Sequence, residues 1–147
     1  MTDNKHKISI KNVSYTFNDV TETGVPIETQ ALKDVSFNIP ANEVFVLFGP
    51  ARCGKTTLLR LLNRLSDLTE NGRHQGTILF NGKDIFARGT DVTSLRRRIS
   101  MVFAIPTPLP GSIWDNLTYG LKMSGINNKR LLNERVERSL QQAALWD

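Results

Sequence analysis

Apolar and polar residues alternate through the first third of the chain. Ile8, Ile10 and Val13 mark a short first strand, and Val35, Phe37 and Ile39 alternate with Ser36 and Asn38 in a second. Between them, Asn18 to Gln30 is polar, contains Gly24 and Pro26, and reads as a loop or a loose hairpin. The run Glu43 to Phe48 predicts a short apolar strand. From Lys55 the period changes. Leu58, Leu59, Leu61, Leu62 and Leu65 form the buried stripe of a helix from Lys55 to Leu65. Thr77 to Phe80 and Lys83 to Phe86 flank Asn81-Gly82, a strong hairpin signal because both turn residues tolerate positive φ. Ser94 to Arg98 predicts a short helix feeding an apolar strand, Ile99 to Phe103. Pro106, Pro108 and Pro110 then enforce an irregular segment. Ser112 can cap a helix starting near Ile113, with Asp115 completing a weak capping box. A last helix follows Asn127-Asn128, with Leu132, Val136, Leu140, Ala143 and Ala144 on one face. This order predicts an α/β domain with an antiparallel β portion at the N-terminus and no linker dividing it into two cores.

Between the third strand and its helix lies Gly49-Pro50-Ala51-Arg52-Cys53-Gly54-Lys55-Thr56, a full match to the phosphate-loop pattern G-x-x-x-x-G-K-[ST]. A triphosphate is a dense anion. Backbone N–H groups at a helix start point at it, and the helix dipole adds favourable charge. Gly49 and Gly54 let the backbone wrap closely. Lys55 supplies an ammonium for the β- and γ-phosphates, and the Thr56 hydroxyl is a hard ligand for Mg²⁺. Thr57 extends the candidate nucleotide-binding set, so ATP and Mg are the expected ligands. The alternative is an ordinary glycine turn with an exposed lysine.

Composition narrows the setting. With 147 residues, 39% hydrophobic and 22% charged, the chain has the makings of a folded domain. Its longest apolar run near the loop, Val44 to Phe48, is far short of the ~20 residues of a spanning helix. The polar start, Met1 to Lys7, lacks the apolar core of a signal peptide. The single cysteine, Cys53, rules out an internal disulfide and suits a reducing cytoplasm. A net charge of +5 admits nucleic acid or an acidic membrane as partner. The basic residues are spread along the chain, however, and the one tight run, Arg96-Arg97-Arg98, reads as a solvated helix face. Nucleic acid is therefore not an expected partner.

At this point the chain resembles an ABC-type transport ATPase. Ala31 to Phe37 resembles the strand before the family's nucleotide loop, and Leu58 to Arg64 the helix after it. Leu95 to Phe103 resembles the approach to the Q-loop. Pro106 to Pro110, Ser112 to Leu117, Tyr119 to Leu121, Glu137 to Leu140 and Ala143 to Asp147 are similar to the phosphate-importer branch. The resemblance implies that residues 1–147 are the N-terminal part of an ATP-binding domain. The implied fold is a P-loop nucleotide-binding core with an N-terminal antiparallel β portion and the start of a helical subdomain. It also implies transmembrane permease subunits as partners, a homodimer or second ATPase subunit around ATP, and a peripheral place on the cytoplasmic face of the membrane. The family's adenine-stacking aromatic falls at Phe17, with Tyr15 as the other candidate.

Four departures from the family stand out. The Q-loop glutamine aligns with Ala104, whose methyl reaches neither metal nor water. The usual Ser-Gly inside the loop is Ala51-Arg52, either a tolerated surface change or a new phosphate contact. Asn18 to Gln30 is longer than the usual connection. The signature sequence, the Walker B strand with its carboxylates and the switch histidine are not found in these residues. Their absence predicts no complete catalytic set, an inactive chain when alone, and unpaired backbone groups beside Glu43 to Phe48. His6 and His74 lie too early to replace the histidine and read as surface residues. Cys53 reads as packing, or as a thiolate at a helix N-terminus. Two other function classes stay open: a non-catalytic binding or regulatory module that competes for the permease, and an unrelated P-loop kinase.

Overall fold

The computed structural model describes residues 6–146. These divide into two compact units, one ending at Val102 and one starting at Phe103. The boundary falls just before the proline-rich segment, where the sequence had suggested one undivided core.

The first unit is built on two long strands, β1 (His6–Val20) and β2 (Pro26–Pro40), paired as an antiparallel hairpin. The polar stretch from Asn18 to Gln30 is thus mostly hairpin: Phe17 faces Thr29, Asn18 faces Glu28 and Val20 faces Pro26. Its tip closes through Thr21 and Val25, with Gly24 at φ 81° in the turn. Both strands bulge midway. Asn12 and Asp34 adopt left-handed φ values of 49° and 48°. Asn and Asp tolerate that region better than most residues. Side chains replace the lost ladder bonds: Asn12 N–H donates to Ser36 Oγ at 2.8 Å, and Asp34 N–H to Ser14 Oγ at 2.9 Å.

β3 (Gly72–Phe80) pairs with the other edge of β1, and the two-residue β4 (Lys83–Asp84) closes the sheet in the order β2-β1-β3-β4. The Asn81-Gly82 turn has φ values of 49° and 76°, as the sequence predicts. One sheet face packs on α1 (Lys55–Leu62). Ile10, Val13, Tyr15, Leu32, Ile78 and Phe80 meet Leu58, Leu61 and Leu62 in one core, which Ile85 and Leu95 complete. Leu59 is exposed and Leu65 lies past the helix end. The predicted stripe was therefore too wide and the helix too long, because Asn63 ends it and a 3₁₀ turn follows at Leu65–Leu68.

Neither Glu43 to Phe48 nor Ile99 to Phe103 is a strand. A strand needs a hydrogen-bonded neighbour, and among the described residues neither segment has one. The alternation still acts. Phe45 stacks on Phe37 at 5.4 Å and Leu47 packs on the core, while Val44, Val46 and Phe48 face outward.

Two charged features also differ from expectation. Of the three arginines on α2 (Val92–Arg98), Arg96 is not part of a solvated face. Its guanidinium donates to the carbonyls of Asn63 and Arg64 at 3.2 and 2.7 Å, just past α1. Cations are favoured at a helix C-terminus. Nor is either histidine simply a surface residue. His6 is half-buried. The half-buried His74 ring stacks on Phe86 at 3.8 Å, and Arg64 covers Phe86 at 5.2 Å.

The second unit pairs α3 (Ile113–Met123) with α4 (Lys129–Gln142). Ser112 and Asp115 form the full reciprocal capping box. Hydrogen bonds from Ser112 hold the Asp115 carboxyl below its usual value. Leu132 and Val136 are buried, and Trp114 Nε1 donates to Asn133 Oδ1 at 2.9 Å. Ala143 and Ala144 are exposed, because α4 ends before them and Ala144 turns to φ 55°.

Burial lowers the His74 pKa from 6.5, with Asp67 and Asp84 opposing that shift and Arg64 adding to it. A depressed imidazole stabilises the fold fully above the unfolded value, and that contribution is lost as pH falls through the folded one. Urea midpoints measured from pH 7.5 to 5 should therefore drop more steeply for the wild type than for His74→Gln. Parallel curves would refute the assignment.

Candidate nucleotide-binding site

The loop from Gly49 to Gly54 leads into α1, whose N-cap is Gly54 at φ 91°. This position strongly favours glycine. A Cβ there would sit 2.5 Å from the Ala31 carbonyl oxygen and 2.7 Å from Leu32 Cδ2. The helix start is thereby pressed against β2. No side chain caps α1, and its first turn carries no acid. The N–H groups and the positive end of the dipole are left for an anion.

Lys55 folds back over the loop. Its Nζ donates to the Gly49 and Pro50 carbonyls at 2.8 and 2.6 Å and lies 3.4 Å from Cys53 Sγ. The ammonium is thus held at the loop's own centre. Arg52 is exposed at φ 63°, a left-handed value that costs an L-residue about 1–2 kcal/mol.

A cleft of about 490 Å³ opens over this loop, lined on one side by Arg52 to Thr57 and on the other by Phe17, Thr29, Gln30 and Ala31. Phe17 reaches it from β1, half-buried, with its ring edge-on to Tyr15 at 4.9 Å. Tyr15 does not line that cleft. It is core, and burial pushes its phenol up. Of the two aromatic candidates, the fold therefore brings only Phe17 to the main cleft. Cys53 and Thr56 are exposed in the cleft, and Thr57 is half-buried.

Ala104 lies in the second unit, exposed, in the irregular stretch before α3. Thr29 and Gln30 had no function readable from sequence. The pairing of Phe17 with Thr29 carries them to the site, and only the hairpin register would have found them.

Comparison with known proteins now bears on this geometry. The family model described as ABC transporter matches residues 32–147. The chain belongs to the ABC transporter family. Among its relatives, the phosphate import ATP-binding protein PstB of Idiomarina loihiensis is 52% identical over 120 residues, covering 82% of this chain and 44% of that protein. The phosphate import ATP-binding protein PstB 1 of Vibrio parahaemolyticus is 43% identical over 147 residues, covering all of this chain and 51% of its own. The corresponding protein of Vibrio cholerae is also 43% identical, with 50% of its length covered. The chain spans about half the length of the relatives it matches. For this ABC transporter family member the mixed α/β fold agrees with expectation, and the loop lies inside the matched region.

The contact between Gly54 and β2 is testable. Gly54→Ala should destabilise the first unit by about 2–3 kcal/mol, combining backbone strain with overlap at Ala31. Gly82→Ala is the control, since a Cβ there meets nothing within 4 Å. Equal losses of urea stability for the two variants would show that the helix start does not press on β2.

Proposed function

We propose that this chain is the ATP-binding part of a membrane importer for inorganic phosphate. The reading rests on the loop from Gly49 to Thr56, folded at a helix start with Lys55 over it and Phe17 across the cleft. Backbone donors, the helix dipole and Lys55 suit a triphosphate, and the Phe17 ring offers a stacking surface for adenine. The phosphate specificity is carried over from the relatives, which are phosphate import ATP-binding proteins.

Gly49, Pro50, Ala51, Arg52, Cys53, Gly54, Lys55, Thr56 and Thr57 form the phosphate end, and Phe17 the base end. Thr56 brings one hard oxygen to Mg²⁺. Among the described residues no three His, Cys, Asp or Glu side chains cluster as a metal site. One hydroxyl fits Mg²⁺, which takes its other ligands from substrate phosphates and water. Bound there, the ion would neutralise phosphate charge.

Among the described residues no helix is long and apolar enough to cross a membrane. In this reading, which the relatives' names support, permease subunits form the importer's membrane path, and this chain sits peripherally on the cytoplasmic side beside a second ATPase copy. Ala104 has no polar atom in its side chain, so it contributes neither a metal ligand nor a water contact.

Two measurements test the site. Lys55→Ala should weaken Mg-ATP binding roughly ten- to a hundredfold, the worth of a hydrogen bond to a charged group. Unchanged affinity by titration calorimetry in a folded variant would overturn the reading. Alkylation of Cys53 should abolish nucleotide binding, because the adduct would fill the cleft beside Lys55. Mg-ATP should slow that alkylation. Alkylated protein that binds ATP normally would refute the arrangement.

A further inference from the structure

A second, smaller cleft of about 130 Å³ adjoins the first. Phe17, Thr56 and Thr57 line both, so the two spaces meet around the Phe17 ring. The smaller cleft adds Arg60, one helical turn after Thr56 on α1. Residues four apart on a helix share a face, which places Arg60 beyond the phosphate end, on the Phe17 side. Arg60 is exposed, and among the described residues it has no ion pair and no side-chain hydrogen bond. Its other neighbours there, Tyr15, Ser66 and Thr69, are neutral. A guanidinium with five N–H donors thus stands unclaimed beside the one aromatic ring of the main cleft.

We propose that Arg60 reads the edge of the nucleotide base and favours purines with an oxygen at position 6. The inference rests on the nucleotide reading above. The smaller cleft adjoins the Phe17 ring, so a base stacked on that ring with its triphosphate on the loop would turn an edge toward it. Two parallel N–H donors of an arginine match the paired O6 and N7 acceptors of guanine. Adenine presents N7 alone, next to an amino group that is itself a donor. The site binds both nucleotides through their phosphates, and Arg60 adds a larger increment for guanine.

The test compares Mg-ATP, Mg-GTP and Mg-tripolyphosphate on the whole chain by titration calorimetry, with Arg60→Ala and Arg60→Lys. Arg60→Ala should weaken GTP by about tenfold and ATP by about threefold, at and below the lower end for a hydrogen bond from a charged donor, because Arg60 is exposed. Tripolyphosphate, which has no base, should change by less than about twofold, because a lost phosphate contact would cost more than that. Arg60→Lys keeps the charge and loses the planar fork, so it should weaken GTP nearly as much. Equal losses for tripolyphosphate and the nucleotides would place Arg60 on the phosphates and overturn the proposal. So would an unchanged ratio of GTP to ATP affinity. Failure of the nucleotide reading itself looks different: tripolyphosphate binding would then be indifferent to Lys55→Ala.

Discussion

The contact between the start of α1 and the backbone of β2 organises the first unit. Gly54 lies so close to the Ala31 carbonyl that no side chain fits between them. That approach presses the helix N-terminus against the sheet, with residues 52–57 lining the cleft. It also sets Leu58, Leu61 and Leu62 against Ile10, Val13 and Ile78, so one packing arrangement serves both core and site. Lys55 completes it. Its bonds to Gly49 and Pro50 hold an ammonium where phosphate charge would otherwise have to organise the loop.

Strain and freedom are placed around that contact. Arg52 accepts a left-handed backbone inside the loop, and Gly54 takes the position where a Cβ is sterically barred. The bulges at Asn12 and Asp34 are supported by Ser36 and Ser14, so they cost the sheet few unpaired donors. Past the bulges, β1 and β2 carry Phe17 and Thr29 to the far side of the cleft. At the other end of α1, Arg96 ties α2 to the carbonyls of Asn63 and Arg64. The helix is held at both termini by partners distant in sequence.

The second unit follows local rules to a greater degree. Its capping box, its Asn128 cap and the pair of buried α4 residues all follow from spacing along the chain. Its apolar face is modest: Leu132 and Val136 are buried while Ile113, Met123 and Leu145 are exposed.

By itself the sequence determined what short-range chemistry can determine. Asn81-Gly82 specified its turn, Ser112 and Asp115 their cap, and Gly49 to Thr56 a glycine loop leading into a helix start, because each depends on residues within a few positions. Tertiary structure decided the rest. Tyr15 and Phe17 share one face of β1, so alternation cannot choose between them; Tyr15 lies over the core, and Phe17, two residues further along, reaches the main cleft. Thr29 and Gln30 line the main cleft and Arg60 the smaller one through pairing and packing that no local pattern announces. Glu43 to Phe48 and Ile99 to Phe103 show the reverse case. Their apolar runs suit strands, yet a strand exists only with a neighbour to accept and donate its hydrogen bonds, and that neighbour is a property of the fold.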